Sequence, residues 1–325
     1  MKEEALSWLL EAETPTIRYL ALVDLMGLSD EDGRVQEARR AIMREGPVPA
    51  ILAEQTEAGN WAGEYSFYTP KYKSTHWSLV LLTELHVDGE DPRFRRGVEF
   101  MLGEVPGPLT KRLAGDESGW SCLFGNVLRY VCHAGLAGDD GAAAVIGYSL
   151  REIGNGYCRC HWNSGYACAW GVARTLWGLA AIPKSMRGPA VNRAIQQGLE
   201  SLLAPGRLPE ADYPVPNGGR VHSFWSRLNF PLFYQADVLF VLRVAGELGA
   251  LDQPGAQEAL AWLAGRRQKN GRWRGSSPFR RRTWPQLGGP EETSRWVTLQ
   301  AEALTTGRKP SSVGLYRDQG YSVQS

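Results

Sequence analysis

The sequence predicts an all-α protein, and three observations carry that prediction. Apolar residues recur at helical spacing along nearly the whole chain. Alternating Val/Ile/Thr/Tyr runs bounded by turn dipeptides are missing. The helical segments also fall into two burial classes that alternate. Segment 2–12 is apolar on one stripe, whereas 16–28 is apolar nearly all round, and this outer–inner pairing then repeats. The amphipathic segments that follow are 35–54, 93–103, 141–153, 190–203 and 256–268. Between them lie the more uniformly apolar 75–87, 123–136, 165–182, 230–248 and 293–305. The stripe is clearest in 190–203: Val191, Ala194, Ile195, Leu199, Leu202 and Leu203 share one face, with Asn192, Arg193, Gln196, Gln197 and Glu200 opposite. An irregular helical-hairpin repeat of six inner and six outer helices fits the order.

Composition narrows the function classes. The 325 residues carry 43% hydrophobic and 22% charged side chains, enough apolar material for one large core. The 36 basic and 35 acidic residues leave a net charge of +1, so the broad basic face of a nucleic-acid binder is lacking. No apolar run is long enough to span a bilayer. The start Met-Lys-Glu-Glu leads into an amphipathic segment without the basic end and apolar stretch of a signal peptide, which predicts a cytoplasmic protein. Five cysteines in a chain of this size predict reduced thiols rather than a disulfide framework. The aromatic content is high, at 12 Trp, 12 Tyr and 9 Phe, and many of these rings stand at segment edges beside Gly, Asn or Pro, which predicts a lined cavity.

Two connections share a phrase. Gln55-Thr56-Glu57-Ala58-Gly59-Asn60-Trp61 and Gln268-Lys269-Asn270-Gly271-Arg272-Trp273 both run from Gln through polar residues to Gly-x-Trp, and Gly119-Trp120 is a shortened echo. Gly takes the left-handed turn that ends a helix, and the Trp two residues on folds back over the helix pair. These phrases, each followed by an apolar helix, resemble the prenyltransferase and squalene-cyclase repeat. The likeness extends to the small bacterial single-toroid members at residues 68–75, 230–237 and 294–299. The resemblance implies a closed (α/α)6 toroid over residues 1–307, with its site at the funnel where inner helices begin, followed by a tail at 308–325. Squalene and hopene cyclases protonate from an Asp-x-Asp-Asp motif. Here the only adjacent aspartates, Asp139-Asp140, read as a helix N-cap. Protein prenyltransferase β-subunits look similar to Gly165-Tyr166-Ala167-Cys168-Ala169-Trp170, but their zinc needs a His that 229–234 does not supply.

The remaining candidates come from residue chemistry. Asp237 is the expected acid or base, because Tyr234-Gln235-Ala236-Asp237 puts phenol, amide and carboxylate in one turn. His76 is the expected imidazole, and Cys168, with a base nearby, a nucleophile. Tyr68, Lys71, Lys73, Trp77, Trp162, Tyr166, Trp170, Trp225, Tyr234, Arg295 and Trp296 are the expected walls of a site for a small apolar molecule, isoprenoid-like or aromatic. Cys158, Cys160 and His161 are the candidate zinc ligands, but Cys-x-Cys-His is not a zinc knuckle, and buried thiols near the cavity are the preferred reading, with no cofactor. The charges Arg18, Asp24, Glu84, Arg129, Arg174, Arg243 and Glu302 on apolar helices predict ion pairs between helices. From Arg266 to Arg282 the chain has eight basic residues and no acid. The rival function is therefore a scaffold docking an anionic partner, nucleic acid included, through that loop.

Overall fold

The computed structural model describes residues 2–62, 66–114 and 119–307. In chain order the helices are α1 (Glu3–Leu10), α2 (Pro15–Leu20, continued by a π turn over Ala21–Leu25), α3 (Gly33–Arg44), α4 (Pro47–Ala53) and α5 (Thr75–Glu84). There follow α6 (Pro92–Glu104), α7 (Pro106–Ala114), α8 (Ser121–His133), α9 (Asp140–Gly154) and α10 (Ala169–Leu179). The last are α11 (Pro189–Leu202), α12 (Arg207–Glu210), α13 (Val238–Glu247), α14 (Pro254–Ala264) and α15 (Pro290–Thr305). Among the described residues the only β pairing is one isolated parallel bridge between Asn229 and Ser276. The all-helical expectation therefore stands, and so do the two burial classes. Every residue of α5 is buried, while α3 buries only Val35, Ala38, Ala41 and Ile42.

Contacts follow a regular order. Helix α5 packs on α8, α8 on α10, α10 on α13, α13 on α15, and α15 on α2. The Thr16 hydroxyl of α2 donates to Leu85 O just past α5 at 2.6 Å. The amphipathic helices fill the gaps between these pairs: α6 touches α5 and α8, α9 touches α8 and α10, and α14 touches α13 and α15. Helix α1 lies between α15 and α2, and α3 and α4 bridge from α2 to α5.

The shared Gln-to-Trp phrase has one geometry in both places. Gly59 and Gly271 take φ of 91° and 84°, and the Trp rings are buried. Trp61 Nε1 donates to Ile51 O at 2.6 Å and Trp273 Nε1 to Leu263 O at 2.8 Å, satisfying carbonyls of α4 and α14. The backbone N–H of each Trp then donates to a threonine on the next buried helix, Thr75 at 3.1 Å and Thr298 at 3.0 Å. One motif thus closes an outer helix and ties it to an inner one. At Gly119 the φ is 109°, but the Trp120 ring is only partly buried.

Three expected boundaries are corrected. Segment 35–54 is two helices, because Gly46 at φ 71° and Pro47 break it. Segment 165–182 starts as helix only at Ala169, since Ser164 and Gly165 take left-handed φ of 51° and 79°. Segment 230–248 is helical only from Val238: Phe230 N donates to Ser276 O at 2.9 Å, and the stretch up to Asp237 is irregular. Helices α7 and α12 were not expected, and the tail at 308–325 lies outside the described residues.

Two buried ion pairs reach across the packing order. Arg129 of α8 meets Glu247 of α13 at 2.5 Å, and Arg243 of α13 meets Glu84 of α5 at 2.9 Å. The ion-pair expectation therefore holds at Glu84, Arg129 and Arg243, each cation reaching an acid on another helix.

Helices α8 and α10 approach closely through glycines. A methyl group at Gly178 would lie 2.4 Å from Gly125 O, and one at Gly125 would lie 2.3 Å from Arg174 O. Gly147, on the exposed face of α9, has nothing within 4 Å. Urea unfolding should show Gly125→Ala destabilised by about 2 kcal/mol or more through forced separation of the helices. Gly147→Ala should instead gain about 0.5 kcal/mol from helix propensity. Equal effects at the two positions would contradict the close approach.

Candidate functional site at the helix starts

The residues ahead of α5, α8, α10 and α13 bring four of the expected rings together. Tyr68 lies 4.8 Å from Trp77, 6.1 Å from His76 and 6.4 Å from Trp120 between ring centroids. Tyr234 lies 6.0 Å from Trp77 and 6.1 Å from Trp170. Lys71 Nζ stands over both phenol rings, 5.6 Å from Tyr68 and 5.2 Å from Tyr234, a cation–π contact at each. Behind this group Tyr72, Phe233 and Phe279 pack on one another at 4.6–5.7 Å. The pairs are tilted or edge-on except Tyr68 on His76, which is stacked, arrangements that suit the aromatic quadrupole.

Other expected wall residues lie elsewhere. Trp225 is buried against Tyr213 at 4.8 Å and donates to Leu208 O. Trp296 stacks on Phe230 at 4.2 Å. Arg295 pairs with Glu292 and Glu291 on its own helix and sits over Trp8. Lys73 stands 5.7 Å over Trp284. Trp162 and Tyr166 project from the loop before α10, 84% and 48% exposed.

Asp237 is the N-cap of α13. Its carboxylate accepts from Asn229 N, Asn229 Nδ2 and Phe240 N, each at 2.8 Å. Burial pushes its pKa up to about 6, against the pull of those donors. The cavity beside it, shared with Glu84, Asn229 and Arg243, measures about 10 Å³, the space of one water. The geometry gives Asp237 a structural task, the capping of α13.

His76 is fully buried. Its Nδ1 lies 3.3 Å from the Tyr130 hydroxyl, and its Nε2 has no partner among the described residues. Burial, reinforced by the Arg174 charge, lowers its pKa to about 3, so the imidazole is neutral at physiological pH. Nearby, Trp170 Nε1 and Gln235 Oε1 are also buried without a partner among the described residues. Arg174, one turn beyond Trp170, holds Gln235 O by two bonds of 2.9 and 2.6 Å.

All five cysteines are free. Cys158 is buried with Sγ 3.6 Å from the Thr175 hydroxyl, and His161 is exposed, edge-on to Trp162. Among the described residues no three His, Cys, Asp or Glu side chains converge to hold a metal ion. Cys160 and Cys168 share the loop before α10, where Cys160 N donates to Tyr166 O at 3.1 Å and Cys168 N to Tyr157 O at 3.2 Å. A cavity of about 230 Å³ borders Cys168, between Tyr157, Ala169, Val172, Arg207 and Tyr213. The basic stretch is largely engaged within the chain: Arg267 with Glu302, Arg266 over Trp262, Arg272 over Trp8, Arg280 on Thr293 and Arg282 over Tyr72. Trp120 and Gln235 join the site without having been named as site residues; their place within three residues of a helix start was the available signal. Tyr65, three residues ahead of Tyr68 in the sequence, lies outside the described residues. No helix is long and apolar enough to cross a membrane among the described residues.

Burial also lowers the pKa of His133 to about 4 and that of His86 well below its usual value. In the unfolded chain the three imidazoles take up protons below about 6.5, while in the fold they stay neutral, so acid favours unfolding. Asp237 opposes them, keeping its proton in the fold up to about 6. Near pH 5 the unfolded chain binds two more protons than the fold, and stability should drop by roughly 3 kcal/mol per pH unit lost. Urea unfolding at pH 7.5, 6 and 5 reads that slope, and His76→Gln should flatten it; a stability constant over this range would contradict the neutral imidazoles. 

Comparison with protein-family models, with curated proteins and with solved structures finds no match.

Proposed function

We propose that the helices form an (α/α)6 toroid, as the likeness to the prenyltransferase and squalene-cyclase repeat implies, and that the chain is an enzyme for a small molecule held at the aromatic mouth. The contact order supports the toroid: each inner helix meets the next, α15 returns to α2, and Thr16 of α2 bonds the end of α5. The ligand has an apolar body, isoprenoid-like or aromatic, and a polar end. A cytoplasmic location belongs to the same reading, with five free thiols in its favour.

One observation carries the polar end. His76 Nε2, Trp170 Nε1 and Gln235 Oε1 are buried without partners among the described residues; the His76 ring meets Tyr68 and Trp77, the Trp170 ring meets Tyr234, which also meets Trp77, and Gln235 follows Tyr234 in the chain. Buried polar atoms are normally paired, and an orphan costs about 1–3 kcal/mol. A ligand bonding to them recovers that cost, and the rings bury its body. His76 is the proton-transfer group of this reading: when Tyr130 donates to Nδ1, Nε2 carries the proton and donates, and in the other tautomer it accepts. Lys71 supplies the positive charge at the rim. No step is assigned to zinc. The scaffold reading gains little from the basic stretch, five of whose arginines are held by Glu302, Thr293 and the Trp and Tyr rings.

Anilinonaphthalene sulfonate, an apolar aromatic body with one anionic group, tests the mouth. Saturable binding to the folded protein is expected, weakened about tenfold or more by Trp170→Leu and by Tyr234→Leu, with Trp296→Leu as the control that leaves it unchanged. Equal binding by all three variants would place the ligand elsewhere.

A further inference from the structure

We propose that the cavity between α10, α11 and α12 is a binding site for a free α-amino acid with an apolar side chain. The inference does not depend on the aromatic mouth being a substrate site.

The cavity measures about 230 Å³, the volume of several waters and room for a small metabolite, whereas the one beside Asp237 holds a single water. Its walls come from separate parts of the chain. Helix α10 contributes Val172 in its first turn, α11 contributes Glu200 in its last, α12 contributes Arg207, and the flanking loops bring Tyr157, Tyr213 and Pro214. Hydrogen bonds fix these walls to one another. Asn163 Nδ2 donates to Ala167 O at 2.9 Å and to Pro214 O at 3.0 Å, which ties the loop before α10 to the loop after α12. The Tyr213 hydroxyl donates to Leu202 O at 2.9 Å, and its ring packs on Trp225. A ligand therefore meets walls that the fold already holds, and little ordering cost attaches to its binding.

Both signs of charge reach this space, and neither is spent within the chain. Arg207 Nη1 donates to Ser201 O at 3.1 Å and its guanidinium lies 5.8 Å from the Tyr213 ring centroid, with no ion pair among the described residues. Most of its N–H donors are left for a ligand. The Glu200 carboxylate accepts from Gln196 Nε2 at 3.0 Å and likewise forms no ion pair among the described residues. Two helix ends reinforce the division. Ala169, the first residue of α10, lies on the wall at the positive end of that helix, and Glu200 stands at the negative end of α11.

An α-amino acid carries one group of each sign and an apolar remainder. Its carboxylate goes to Arg207 and the start of α10, its ammonium goes to Glu200, and its side chain lies against Tyr157, Val172 and Pro214. A carboxylic acid without the ammonium leaves Glu200 unpaired against the ligand, and an amine without the carboxylate does the same to Arg207. The site thus selects against both.

Equilibrium dialysis of the whole protein against isotope-labelled L-leucine, L-methionine and L-phenylalanine reads the site. At least one of them should bind saturably, one molecule per chain, at micromolar to millimolar concentration. For that amino acid, the analogue lacking the ammonium and the analogue lacking the carboxylate should each bind about tenfold or more weakly. Arg207→Met and Glu200→Gln should weaken the amino acid by a similar factor, with urea midpoints matching the parent protein to show that they fold. The analogue series needs no variant and decides the matter if a variant fails to fold. Anilinonaphthalene sulfonate, the probe of the aromatic mouth, should not displace the amino acid. Absence of saturable binding by all three, undiminished binding of either analogue or by either folded variant, or displacement by the sulfonate would overturn the assignment.

Discussion

The guanidinium of Arg174 is fully buried, and the centre of the molecule is organised around its needs. Burial lowers its pKa to about 9. A buried cation is tolerated only where its donors and its charge are met. Its donors go to Gln235 O and to Asn126 Oδ1, and its plane lies 4.0 Å from the Phe240 ring centroid and 5.2 Å from that of Trp177. Asn126 then spends its amide hydrogens on Phe233 O at 2.8 Å. Two carbonyls of the stretch before α13 are therefore committed to side chains of α8 and α10. In a helix those carbonyls would have bonded Asp237 N and Leu239 N instead. The irregular lead-in is the form that leaves them free, and its alternation sends Phe233 toward Tyr72 and Phe279 while Tyr234 turns to Trp77 and Trp170.

That accounts for what the sequence could and could not disclose. Helix type and burial class were legible because they rest on periodicity, and the Gln-to-Trp phrase because two copies repeat one local geometry. The lead-in was not, since Phe230 to Asp237 is an apolar run, and periodicity alone cannot separate such a run from a buried helix. Pro231 inside it was the contrary sign. Asp237 looked catalytic for its neighbours, Tyr234 and Gln235. The rule that an Asp ahead of an apolar helix caps it describes what the fold makes of it. The candidate site was legible as aromatic edges, but which edges meet depends on long-range packing. Trp225 and Trp296 found partners in Tyr213 and Phe230 instead. The doubled-back loop ahead of α10 depends on five positive-φ positions, Gly156, Tyr157, Cys158, Ser164 and Gly165, that no spacing rule anticipates.

Charge and aromatic character are divided between the two ends of the inner helices. At their starts, rings pack on rings around Tyr68, Tyr72 and Trp77. Toward their ends, Glu84 and Glu247 draw Arg243 and Arg129 across to join α13 to α5 and α8. Such pairs add little net stability against well-packed apolar residues, but removing one partner leaves a buried charge, so they fix which helices face each other. One end of these helices is thus ionic and the other aromatic, which gives the interior a direction.

The contact between α1 and α15 concerns the order in which the chain is made. Trp8 Nε1 bonds Glu291 at 2.8 Å, Thr14 N bonds Glu292, and Arg272 covers the Trp8 ring at 4.0 Å. The first helix of the described chain thus has its partners in the last. During synthesis the apolar faces of α1 and α2 emerge long before α15 exists to cover them, while α8, α9 and α10 can already assemble from neighbouring sequence. A ribosome therefore presents an incomplete bundle with one open flank for most of elongation. That flank closes only once α15 has been made, and a chaperone that shields exposed apolar helices has a long opportunity at α1 and α2.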